Sequence, residues 1–108
     1  MHHFIHLKDI SSVDLRKILT DAKKRKKNRK NLNTLQIDKD APLRGKFLIQ
    51  MFEKSSLRTR LSFNLAIKQL GGGTITLRPN ELHLGQGGES LEDTAKILST
   101  YGDGFMLR

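Results

Sequence analysis

Lys46-Phe47-Leu48-Ile49-Gln50-Met51-Phe52 is a mainly apolar run of strand length, bounded by Gly45 on one side and by Glu53-Lys54-Ser55-Ser56 on the other. That combination predicts a buried strand. Immediately after it, Arg58 to Leu70 place Leu61, Leu65, Ala66 and Leu70 at helical spacing, and Gly71-Gly72-Gly73 supply the stop. A strand that runs straight into a helix is the first half of a crossover unit, and the downstream sequence completes it. Thr74-Ile75-Thr76-Leu77 reads as a second strand, and Arg78 to Glu89 as a loop carrying Gly85, Gly87 and Gly88. Ser90 with Asp93 opens a capping box for a helix whose face is Leu91, Ala95 and Leu98. The helix ends at Tyr101 and Gly102, and Phe105-Met106-Leu107-Arg108 resumes a strand. Two consecutive crossovers predict an α/β fold, a partial parallel sheet with flanking helices and right-handed connections.

Upstream, Ser11 or Ser12 caps an amphipathic helix with Leu15, Ile18, Leu19 and Ala22 on one face and Asp14 near its positive pole. Its tail, Lys23 to Lys30, is basic at every position except Asn28. As a solvated helix end, these cations oppose the negative carboxyl pole and need no partner. As a nucleic-acid patch they would meet phosphates, yet no aromatic residue is interleaved for base stacking. The solvated end is the preferred reading. Asn31 to Arg44 is a polar connector containing Pro42.

The 108 residues allow one domain or part of one. Twenty Lys and Arg against eleven Asp and Glu leave a net charge of +9, which favours phosphates and other acidic partners. Absence of Cys excludes a disulfide framework, a thiolate metal site and a Cys nucleophile, and it fits a reducing, cytoplasmic compartment. No apolar run approaches the roughly 18 residues that span a bilayer, so no membrane partner is expected. His2, His3 and His6 lack metal-ligand spacing. A sheet that stops on its third strand reads as an incomplete unit, a truncated domain occupying 1–108.

Ligands of a parallel sheet gather at the carboxyl ends of its strands, where helices begin. The segment Phe52 to Arg60 occupies such an end. It brings hydroxyls, two guanidinium groups, free backbone N–H groups and a positive helix pole to one small volume, which suits a phosphate. Arg serves this better than Lys because its planar fork bonds two oxygens at once. The plain alternative is an ordinary capped helix with surface arginines.

Phe-Glu-Lys-x-Ser-x-Arg-Thr-Arg at 52–60, followed by Leu61-Ser62-Phe63 and by Gln69-Leu70-Gly71-Gly72, resembles the carbamoyl-phosphate signature of the aspartate and ornithine carbamoyltransferase family. Glu53-Lys54 is similar to the ornithine branch. Further similarity lies in Leu84-Gly85, in Glu89 to Leu98 and in Asp103 to Arg108. The resemblance implies the carbamoyl-phosphate domain of an enzyme that transfers a carbamoyl group to the side-chain amine of ornithine, giving citrulline and phosphate without metal or organic cofactor. It implies that Ser56, Arg58 and Thr59 hold the phosphate with the backbone N–H of Leu57, and that Thr59 and Arg108 face the carbamoyl oxygen. It also implies a homotrimer with sites between subunits.

Three departures accompany the resemblance. Leu57 stands where the family usually has Thr, so a hydroxyl worth about 0.5–1.5 kcal/mol is lost. His83 stands where Gln is common, on a loop that reaches a neighbouring subunit's site, and reads equally as a phosphate donor and as a surface histidine. The loop Gly85 to Glu89 is one residue longer than the usual pattern. No counterpart of the family's ornithine-recognising segments occurs, so the isolated chain is expected to be inactive. Two other readings stand beside this one: a small basic nucleic-acid-binding protein using Lys23 to Lys30, and a non-catalytic remnant that still binds phosphate.

Overall fold

The computed structural model describes residues 3–52, 56–78 and 91–108, with Leu91 described through its backbone alone. The chain divides into two compact units, residues 1–33 and 34–108. In the first, a short 3-10 turn at Leu7–Asp9 precedes helix α1, Ser12–Asn28. Of the two serines that could cap it, Ser11 does so, its Oγ accepting from the Asp14 N–H at 3.1 Å. Arg25 leans back one turn onto Asp21 at 3.1 Å, and Arg29 donates to the carbonyl of Asn33 at 3.0 Å. Part of the basic run is thus spent on the helix's own acid and on the turn that follows the helix.

The second unit contains β1 (Phe47–Met51), α2 (Leu57–Gln69), β2 (Gly73–Leu77), α3 (Leu91–Tyr101) and β3 (Gly104–Leu107). The three strands form one parallel sheet in the order β2-β1-β3. Ile49 stands opposite Ile75 on one side and Phe105 on the other. The chain therefore leaves β1 for one edge and crosses back over β1 to reach the other. With equal handedness, these opposed crossovers put their helices on opposite faces of the sheet. Contacts of adjacent β1 residues agree: Gln50 bonds Asn64 of α2, whereas a side chain at Gly102, just past α3, would strike Ile49 at 2.8 Å.

As the central strand, β1 supplies the core, with Ile49 at 3%, Met51 at 4% and Gln50 at 0% exposure. Burial on both faces explains its near-continuous apolar reading. Glycines account for the shifts at the strand ends. Gly73 donates to the Lys46 carbonyl at 3.1 Å and pairs with Phe47, and Gly104 pairs with Leu48, so both join strands although they carry no hydropathy signal. Arg108 lies one residue beyond β3, its N–H still donating to the Met51 carbonyl at 3.0 Å.

Helix α2 begins at Leu57, one residue before the expected Arg58, because Ser56 is its N-cap and accepts from the Arg60 N–H at 3.0 Å. Its end is a Schellman stop: Gly71 has φ +95° and donates to Lys68, and Gly72 donates to Ile67 at 2.9 Å. The connector expected from Asn31 to Arg44 is tied to this stop from Thr34 onward. Asp38 and Leu43 donate backbone N–H groups to the carbonyls of Gln69 and Leu70 at 2.8 and 2.9 Å, and Gln69 Nε2 donates to the Thr34 carbonyl at 2.9 Å. At the opposite end of the sheet from the C-terminal strand ends, Asp103 accepts from the Phe47 N–H at 2.9 Å and returns a bond to the Phe47 carbonyl at 3.0 Å. The expected capping box at Ser90 and the loop 79–90 lie outside the described residues.

Candidate functional site

Where β1 gives way to α2 and β3 ends, three of the expected site residues meet. Arg108 Nη1 donates to Ser56 Oγ at 2.6 Å and also to Thr59 Oγ1. Ser56 and Thr59 stand one turn apart at the start of α2, and Arg108 reaches them from the far side of β1 because the sheet order places β3 beside that strand. Residues 52 and 49 positions apart in sequence thereby share one guanidinium nitrogen.

This arrangement changes what the helix start offers. A serine at the N-cap ordinarily accepts from the first-turn N–H groups. Here the Ser56 side chain makes no cap bond, and its Oγ is taken by Arg108 instead. No acidic residue lies in the first turn of α2. The opening N–H groups of α2 have no intrahelical partner and point out of the positive helix pole, next to a fixed guanidinium. Such a corner attracts an anion with several acceptor oxygens.

The remaining expected residues stand differently. Leu57 and Arg58 are exposed on the first turn of α2, outside the Ser56–Thr59–Arg108 cluster. Arg58 is thereby open to solvent at the same helix pole. His83, together with Glu53, Lys54 and Ser55 of the signature, lies outside the described residues.

One feature escaped the sequence reading: a polar cluster beneath α2, centred on the buried Gln50. Gln50 Nε2 donates to Asn64 Oδ1 and, at 2.9 Å, to Thr76 Oγ1, while the Thr74 hydroxyl donates to Asn64 Oδ1 at 2.8 Å. The available signal was a lone Gln inside an otherwise apolar strand, since a buried amide needs partners.

Residues 2–108 match the model of the aspartate/ornithine carbamoyltransferase, carbamoyl-P binding domain. The chain belongs to this family. An ornithine carbamoyltransferase of Rhizorhabdus wittichii is 45% identical over 105 residues, 97% of this chain and 34% of that protein. Among solved structures, the ornithine carbamoyltransferase of Burkholderia thailandensis superposes with a TM-score of 0.83 at 37% identity, over 100% of this chain and 35% of that one. The catalytic subunit of M. jannaschii aspartate transcarbamoylase gives a TM-score of 0.78 at 38% identity, over 100% of this chain and 34% of that one. The chain spans about a third of the length of the curated relatives it matches. The fold is that of the carbamoyltransferase domain binding carbamoyl phosphate, shared by members named for different second substrates.

Proposed function

We propose that the corner formed by Ser56, Leu57, Arg58, Thr59 and Arg108 binds carbamoyl phosphate for transfer of its carbamoyl group to the side-chain amine of ornithine. The observation that carries this reading is the Arg108 guanidinium held on Ser56 and Thr59 at an N-terminus whose capping side chain is diverted. In it, Ser56, Arg58, Thr59 and the Leu57 N–H hold the phosphate, and Thr59 and Arg108 face the carbamoyl oxygen. The neutral amine attacks the carbamoyl carbon and the carbonyl pair moves onto oxygen; as the tetrahedral oxyanion collapses, the C–O bond to phosphate breaks and phosphate leaves with the proton given up by the attacking nitrogen. A cation and a hydroxyl fixed before the reaction favour that oxyanion because they need no reorganisation as charge develops.

In this reading residues 1–108 form an incomplete carbamoyl-phosphate domain of a cytoplasmic homotrimer, with His83 approaching a neighbouring subunit's phosphate. Ile75, Phe105 and Leu107 support the incompleteness: they lie on the Ile49 face of the sheet and each is about half exposed. Among the described residues, no helix is long and apolar enough to cross a membrane. The choice of ornithine rests on Glu53-Lys54 and on relatives bearing that name.

The test is calorimetric titration of carbamoyl phosphate against the chain and against Arg108→Met. Loss of a charge-assisted contact is expected to weaken binding by about ten- to a hundredfold. Equal affinities would contradict the assignment.

A further inference from the structure

We propose that Gln50, Asn64, Thr74 and Thr76 are positioning residues for the phosphate corner, locking α2 in the one rotation and height that present Ser56 and Thr59 to Arg108. The proposal rests on the reading of that corner as a phosphate site and adds residues that do not touch the ligand.

Helix α2 grips the sheet only in part through apolar groups. Leu65 and Ile67 are half-buried, none of its side chains is fully buried, and Leu61 and Phe63 remain 46% and 39% exposed. Under it lies a polar cross-brace. Asn64 Oδ1 accepts from Gln50 of β1 and from Thr74 of β2, and Gln50 in turn donates to Thr76, its register partner on β2. The brace thus ties the helix to two strands and the strands to each other.

Its place along the helix matters. Asn64 is five residues beyond Thr59, about 7.5 Å along the axis, and a slip of one residue turns a helix by about 100°. Such a turn would carry Thr59 away from Arg108, which is fixed independently on the other side of β1 through its own N–H bond to Met51. Mutual geometry of the corner is therefore set by two separate anchors, Arg108 on β1 and Asn64 on Gln50 and Thr74.

Stability alone is a weak reason for a Gln at the centre of the brace. Gln50 is wholly buried in the central strand, and its Oε1 has no hydrogen-bond partner. An apolar side chain of similar volume would fill the place without an unpaired acceptor. A directional tie does what an apolar contact does not: it accepts one rotation of the helix and refuses its neighbours.

The experiment exploits opposite movements of stability and affinity. Thr74→Val removes the hydroxyl that holds Asn64 while favouring the strand, whereas Thr74→Ser keeps the hydroxyl and weakens the strand. Gln50→Met removes the centre of the brace. Inorganic phosphate is titrated into each variant of the 108-residue chain while the amide NMR signals of Ser56 and Thr59 are followed, and urea unfolding is measured alongside. Thr74→Val and Gln50→Met are expected to keep or raise the unfolding midpoint and to weaken phosphate binding about tenfold, with non-additive losses when combined. Thr74→Ser is expected to lower the midpoint and keep the affinity. Affinities that simply follow the midpoints, or that stay unchanged in Thr74→Val and Gln50→Met, would overturn the positioning role. Absence of phosphate binding by the wild-type chain would remove the phosphate reading itself, and this proposal with it.

Discussion

Arg58 and Arg108 are both arginines at one helix pole, yet they stand in different settings. Arg108 is held by two hydroxyls and by its own backbone bond to β1, so its head is placed before any ligand arrives. Arg58 is exposed on the first turn of α2 and free of that cluster. Its proposed part is to bring a planar two-pronged donor onto the phosphate, and Lys cannot reproduce that geometry although it keeps the charge. Arg58→Lys is expected to cost about 1.5–3 kcal/mol of carbamoyl-phosphate affinity, one to two decades, with an unchanged far-ultraviolet circular dichroism spectrum. Both arginines were legible in the sequence. The pairing of Arg108 with Ser56 and Thr59 was not read from spacing: it depends on β3 returning beside β1, and a strand order is not written in hydropathy.

At the scale of elements, alternation of apolar strand runs with helical spacing was enough to give the parallel sheet and its two crossovers. Glycines contribute no hydropathy, so the apolar pattern stops short of Gly73 and Gly104, whose backbone groups extend the strands. Residues 34–44 read as connector because their ties to the end of α2 run through backbone groups common to every sequence. Gln50 reads as part of a strand, but its brace to α2 depends on strand register, which hydropathy does not carry. The glycine stop was legible, and it makes a sharp expectation. Gly71 combines φ +95° with a place only 3.0 Å from the Ala41 Cβ for any added side chain. Gly71→Ala should therefore lower stability by about 1–3 kcal/mol, seen as a reduced urea midpoint at constant slope.

For the whole molecule, a chain about one third as long as its relatives carries the Ser56–Thr59–Arg108 corner and a sheet face on which Ile75, Phe105 and Leu107 are about half exposed. In the proposed reading binding and transfer are separable, since the phosphate contacts within one chain come from Ser56, the first turn of α2 and Arg108 just past β3. The 108-residue chain is expected to bind carbamoyl phosphate and to form no citrulline above background when ornithine is supplied. Robust turnover by chain of verified mass would contradict the view that 1–108 is an incomplete domain. The net charge of +9 sets the competing expectation, because a basic chain also gathers phosphates without specificity. Helix α1 holds the densest run of those cations, in the unit formed by residues 1–33. Where the anion settles therefore separates a built site from diffuse attraction. The most direct measurement is an NMR titration of the isotope-labelled chain with carbamoyl phosphate at near-physiological salt, where exposed charges are screened beyond about 8 Å. Saturable shifts confined to the amides of Ser56 to Arg60 and of Arg108 are the predicted result; shifts spread over Lys23 to Lys30 with Thr59 and Arg108 unmoved would contradict it.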